Sequence, residues 1–197
     1  ELSRKPWTLW DDADGDGEPT AGDTIRYTIV LENTGNETGT VDLTDPIPGQ
    51  AASYTLVSDG NATDDRSRNG LIDLRGIIVP PGTTETIIID IVLDDVPDET
   101  VMSNTASWSA PDEGGNPGDV TATDVVIRKD TDGDSWYDNE DNCPLVPNPD
   151  QADANNNDIG DVCEAVELCD GFDNDGDGRT DEDFGDADND GFADCRD

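Results

Sequence analysis

Acidic residues fall at alternate positions in five places along this 197-residue chain. Near its start stand Asp12, Asp14 and Asp16, followed by Gly17, Glu18 and Asp23. The stretch Asp130-Thr131-Asp132-Gly133-Asp134-Ser135-Trp136 runs on to Asp138 and Asp141. Asp153, Asn155, Asn157, Ile159, Asp161 and Glu164 repeat the spacing. So do Asp173, Asp175, Asp177, Arg179 and Asp181, and then Asp186, Asp188, Asp190, Phe192, Asp194 and Asp197. Carboxylates this close repel one another, and from Asp130 to Asp197 the cationic side chains are Arg179 and Arg196 alone. A hard cation resolves the repulsion. Calcium takes roughly six to eight oxygens, and a compact loop offers them from side chains at its first, third, fifth, ninth and twelfth places and a carbonyl at its seventh. The seventh-place carbonyls belong to Glu18, Trp136, Ile159, Arg179 and Phe192.

The five loops fit unequally. The sixth place, where glycine allows a sharp turn, holds Gly17, Gly178 and Gly191, but Ser135 and Asp158 in the other two. The Asp173 loop has Phe184 at its twelfth place, so Glu182 or Asp183 must close the shell. Neutral Asn155 and Asn157 predict a weaker site than Asp186–Asp197 or Asp12–Asp23. A sixth stretch, Asp65 to Asp73, carries Arg66 and Arg68 and reads as an ordinary turn. An acidic run is more often a solvated, disordered tail. Recurrence at ligand spacing argues against that, and four to five calcium ions per chain are expected. Magnesium keeps waters and few carboxylates, and zinc would want Cys or His, of which His is absent.

The elements that must hold these loops differ along the chain. From Thr24 to Lys129 the sequence reads as strands: Thr24–Glu32, Thr40–Leu43, Ser53–Ser58, Leu71–Val79, Thr84–Leu93, Val101–Ala110 and Val120–Arg128, with a first strand at Lys5–Trp10. Pro46-Ile47-Pro48-Gly49, Pro80-Pro81-Gly82 and residues 112–118 separate them as turns. About eight short strands predict an antiparallel β-sandwich. Ile87–Leu93 is apolar on both faces, as in a central strand. From Asp130 on, Asp, Asn and Gly dominate and apolar side chains are few, Trp136, Tyr137, Leu145, Val146, Ile159, Val162, Phe172, Phe184 and Phe192 among them. The chain is therefore read as all-β over 1–129, followed by an irregular segment over 130–197 that metal and disulfides must stabilise. All four cysteines (Cys143, Cys163, Cys169, Cys195) lie in the second part, and four cysteines allow three pairings.

Two resemblances follow. Trp10-Asp11-Asp12, then Gly22-Asp23-Thr24 through Tyr27 to Asn33-Thr34-Gly35-Asn36, with Thr44-Asp45-Pro46 and Ser103-Asn104-Thr105-Ala106, resembles the DUF11-type repeat over about 5–128. That resemblance implies an immunoglobulin-like module of prokaryotic surface proteins, a building block rather than a catalyst. Asp130–Asp141, Asn142-Cys143-Pro144, Asn148-Pro149-Asp150-Gln151 and Gly160-Asp161-Val162-Cys163 resemble the thrombospondin type 3 repeat, a frame that continues loosely to Asp197. It implies an extended, calcium-filled wire, and sequential pairing of Cys143 with Cys163 and Cys169 with Cys195 fits it. Residues 169 to 183 resemble another metal-binding repeat of bacterial secreted proteins, with Gly176 where that repeat has Cys.

The composition limits the partners. With 49 Asp+Glu against 10 Lys+Arg and a formal charge of −39, nucleic acid and anionic membranes are excluded. No apolar run is long enough to insert into a bilayer, and the chain from Glu1 reads as a mature, secreted form. No P-loop, nucleophile elbow or dinucleotide turn occurs, so a non-catalytic role is expected. Asn36 and Asn61 head formal glycosylation tripeptides. Adaptation to high salt would explain surplus acid but not its spacing. Two roles fit: a subunit of a calcium-dependent extracellular filament, sheath or matrix that self-associates, or an adhesin or receptor fragment binding a glycan or protein. In the first, Glu1–Trp10 serves either as strand one of its own sandwich or as a contact docked on a neighbour.

Overall fold

The computed structural model describes residues 2–110, 118–153 and 156–163. The chain divides into two units, Glu1–Lys129 and Asp130–Asp197. The first is an all-β, immunoglobulin-like sandwich. Its strands are β1 (Leu2–Arg4), β2 (Trp7–Asp11), β3 (Thr24–Glu32), β4 (Gly39–Pro46), β5 (Ala51–Asp59), β6 (Asp64–Asp65), β7 (Leu71–Val79), β8 (Thr84–Leu93), β9 (Thr100–Met102), β10 (Thr105–Ser109), β11 (Gly118–Thr121) and β12 (Val125–Ile127). One sheet runs β1-β3-β8-β5, with β2 also paired to β3; the other runs β11-β10-β4-β7-β6, and β9 pairs with β12.

The strands form where β-branched residues alternate with polar ones. In β3, Ile25, Tyr27 and Ile29 turn inward and are fully buried, while Arg26 and Thr28 lie between them on the other face. β8 is the central strand of its sheet, paired on one side with β3 and on the other with β5. Its Ile87, Ile89, Ile91 and Leu93 face Leu43 of β4 and Ile72, Leu74 and Ile77 of β7 in one core cluster. Fully burying one such side chain is worth roughly 1.5–3 kcal/mol, so the sandwich carries its own stabilisation.

Two expected strands are divided, and the first, expected at Lys5–Trp10, starts later, at Trp7, with β1 a separate piece before it. Between the two, Pro6 has no N–H to give a ladder, though its carbonyl accepts from Thr28 N at 3.0 Å. Both β1 and β2 pair with β3 of the same chain. Val101–Ala110 and Val120–Arg128 each change partner midway: β10 and β11 join the second sheet, whereas β9 and β12 pair with one another. The Asp65 to Asp73 stretch is a plain turn, where Asp65 Oδ1 accepts from Ser67 N at 2.9 Å and Arg68 bridges Leu71.

The described part of the second unit contains neither helix nor strand. Its fully or nearly buried residues include Asp134, Cys143 and Asn148, whereas Trp136, Leu145, Val146, Ile159 and Val162 are exposed. Polar groups and a cystine occupy the place of a hydrophobic core. Cys143 and Cys163, 20 positions apart, are joined by a disulfide. Gly160 packs against it, and a Cβ there would meet Asn142 Oδ1 and Cys143 Sγ. The pair Cys169 and Cys195 lies outside the described residues.

Candidate metal centres

The first acidic loop is the connection of the β2–β3 hairpin. Asp11 and Thr24 are cross-strand partners, so residues 12–23 leave and re-enter the sheet at one point. The loop is tied down on its far side, since Gly22 N donates to Leu93 O at 3.0 Å and Arg128 N to Pro19 O at 2.8 Å. Within it Asp12 turns the chain: its Oδ1 accepts from Gly15 N at 2.6 Å and its Oδ2 from Gly17 N at 2.9 Å. Asp16 Oδ1 accepts from Glu18 N at 2.7 Å. Each of Asp12, Asp14 and Asp16 thereby offers a carboxylate oxygen within 4.8 Å of the others.

The Asp130 loop repeats this network. Asp130 Oδ1 accepts from Gly133 N at 2.7 Å and Oδ2 from Ser135 N at 2.9 Å, while Asp134 Oδ1 accepts from Trp136 N at 2.9 Å. Asp130, Asp132 and Asp134 again present oxygens within 4.8 Å of one another. The Asp153 loop keeps the same bonds where it is described: Asp153 Oδ2 accepts from Asp158 N at 3.0 Å and Asn157 Oδ1 from Ile159 N at 2.9 Å. The fourth and sixth places of all three loops have left-handed backbone. Gly15, Gly133 and Asn156 hold φ of 82°, 80° and 60°, and Gly17, Ser135 and Asp158 hold 86°, 83° and 67°. Ser135, Asn156 and Asp158 adopt the glycine conformation, at a steric cost the loops must meet elsewhere.

The expected ninth- and twelfth-place groups act differently. Asp23 is buried, and its Oδ1 accepts from Ala13 N at 2.7 Å and its Oδ2 from Thr20 N at 2.9 Å. Asp138 receives Thr131 N and Thr131 Oγ1, both at 2.7 Å. Asp141 Oδ1 takes Cys143 N at 2.7 Å and Gln151 Nε2 at 2.8 Å. These three carboxylates brace the loops and stand outside the two triads. Asp161 is among the described residues but in neither triad, while Asn155, Glu164 and the loops from Asp173 and Asp186 lie outside the described residues. The bracing by Thr20, Thr131, Asn148 and Gln151 is not readable from ligand spacing. Asn148 N reaches Asp134 Oδ2 at 2.7 Å from 14 positions away.

The electrostatics match the geometry. Burial, then the charges of Asp134, Asp141 and Asp130, push the Asp132 carboxyl above its usual range. Burial, with Asp14, Asp12 and Asp23 nearby, does the same to Asp16. At Asp14 burial acts upward, but hydrogen bonds from Thr20 and the Asp16 backbone outweigh it and hold the group low. Asp132 Oδ2 is buried and has no hydrogen-bond partner among the described residues. A buried carboxylate oxygen without a donor is costly. A divalent ion fits there: the donors are all hard oxygens, the class calcium prefers. Asp130, Asp132 and Asp134 would hold it in one loop, and Asp12, Asp14 and Asp16 in the other.

Among the described residues, no helix is long and apolar enough to cross a membrane. No curated protein matches the chain. Several solved structures are similar to it. The bacterial hydrophobin BslA aligns at 13% identity and a TM-score of 0.46, over 66% of this chain and 97% of that one. The major pilin SpaD of Corynebacterium diphtheriae aligns at 14% identity and 0.43, over 68% of this chain and 39% of the pilin. The collagen-binding subdomain of the Enterococcus faecalis surface protein ACE aligns at 11% identity and 0.41, over 64% and 97%. By sequence, residues 118–151 match the model of the thrombospondin type 3 repeat.

Proposed function

We propose that the chain is a calcium-stabilised extracellular structural module, non-catalytic, working as a subunit of a surface filament, sheath or matrix. The observation that carries the calcium part is the pair of acidic triads, each with oxygens within 4.8 Å, one of them holding a buried and unpartnered Asp132 oxygen. The described part of the second unit leaves Leu145, Ile159 and Val162 exposed, so ordering it needs energy from outside the chain. Bound ions supply that energy, because a site absent from the unfolded state makes binding free energy into folding free energy. Extracellular calcium, at the affinities of roughly 10⁻⁴ to 10⁻³ M typical of such modules, suffices. The sandwich is read as a DUF11-like unit, and four to five ions are expected over the five loops.

Self-association is the second part of the proposal. Open sheets leave strand edges able to pair, and head-to-tail contacts that do not close a ring make filaments. Each ion removes two units from a charge of −39 that otherwise opposes association. Negative-stain microscopy of the protein in millimolar calcium, with and without chelator, tests it. Filaments that vanish on chelation are expected. A monomer at every concentration in calcium refutes the polymer and favours the adhesin reading.

A further inference from the structure

We propose that Lys5 and Asp45 become joined by an amide bond inside the sandwich. Lys5 Nζ lies 2.6 Å from Asp45 Oδ2, and neither side chain has any exposed surface. The pair is poorly served as an ion pair. An ionised carboxylate wants several donors, yet Asp45 Oδ1 is buried without a hydrogen-bond partner among the described residues. An ammonium has three protons to place; besides Asp45, the described neighbour of Nζ is the face of Tyr27, 5.0 Å to the ring centroid. Buried charges with so few contacts cost more than their attraction returns. An amide needs one donor and one acceptor, so linkage relieves both groups.

The surroundings favour the reactive forms. Burial pulls Lys5 down, against the attraction of Asp45, and pushes Asp45 up, against the attraction of Lys5. Both therefore shift toward the neutral amine and the neutral acid, a nucleophile facing a carboxyl carbon. Fixed contact replaces the entropy of encounter, and the dry core disfavours the reverse hydrolysis. In the step, the Nζ lone pair attacks Asp45 Cγ and the Nζ–Cγ bond forms. The Cγ–O bond to the hydroxyl breaks, and that hydroxyl leaves with one amine proton as water. Nothing is oxidised or reduced, and no co-reactant is required.

The location gives the bond a purpose. Lys5 sits between β1 and β2 of one sheet, and Asp45 in β4 of the other, 40 positions along. A link there fastens the N-terminal strands of one sheet to the opposite sheet. Tension that reaches Lys5 from the N-terminus would then pass to Asp45 through covalent bonds rather than through the β2 pairing with Ile25, Arg26 and Tyr27.

The test is the intact mass of the full chain after reduction and chelation under denaturing conditions, followed by peptide mapping. The expected result is a mass one water below that of the reduced sequence, with Lys5 and Asp45 in a single branched peptide. The Lys5→Arg variant, which keeps the charge, should recover the full mass. The full mass in the parent chain, with Lys5 and Asp45 in separate peptides, overturns the proposal. So does a lost water mapped to another position, as in a cyclised Asp, or a Lys5→Arg chain still one water short.

Discussion

Ser135→Gly isolates the backbone cost of one loop. Ser135 holds φ of 83°, matching Gly17 at the same place in the first loop. An L-residue in this region costs roughly 1–2 kcal/mol from its Cβ. Glycine removes that cost but adds backbone freedom to the unfolded chain, worth roughly 0.4–1 kcal/mol. The surplus is about 0.5–1 kcal/mol in favour of the ordered loop. Its other contacts are unchanged, because Ser135 enters the network through its backbone N–H to Asp130. Ordering and ion binding are coupled, so the surplus appears as apparent calcium affinity about two- to fivefold tighter. Trp136 follows directly in sequence, and its Nε1 lies 3.3 Å from Pro149 O, so its fluorescence should report closure during a calcium titration. Gly133→Ala, at φ 80°, should weaken the same transition by roughly 1–2 kcal/mol. Unchanged or weaker calcium binding in Ser135→Gly, with the chain folded, would refute the reasoning.

Asp23→Ala should lower sandwich stability by about 2–4 kcal/mol even in chelator, because it strands the buried amide of Thr20 and that of Ala13; Asp14→Asn should instead shift calcium dependence and leave the chelated melting temperature nearly unchanged. Chelation should open residues 130–163 to protease while the sandwich resists, since its isoleucine core owes nothing to metal; equal cutting of both units sinks that view. Gly160→Ala should cost about 1–3 kcal/mol by overpacking against the cystine, measured as a lower denaturant midpoint of the second unit in calcium. A change confined to the sandwich transition would contradict it.

The long strands were legible because period and composition agree: Thr24–Glu32, Leu71–Val79 and Thr84–Leu93 match the observed strands residue for residue. The breaks were not legible. Ser103-Asn104 divides a run of strand formers, and what decides the division is that β9 and β10 find different partners. Pairing at such distance leaves no local mark. The loops were legible at their first, third and fifth places, where spacing alone brings carboxylates together. Asp23, Asp138 and Asp141 also accept backbone amides, as Asp12 and Asp130 do, and that bracing leaves no mark in ligand spacing. Lys5 and Asp45 carry no motif at all; two sheets had to be folded before the pair existed.

Calcium counted per chain by elemental analysis, after equilibration in millimolar calcium and removal of free ion, tests the central claim most directly. The loops predict about four to five ions, with the triads of Asp12, Asp14, Asp16 and of Asp130, Asp132, Asp134 among the occupied sites. A count below about three ions would contradict the account, because five loops at ligand spacing are expected to hold more even with the Asp153 loop the weakest.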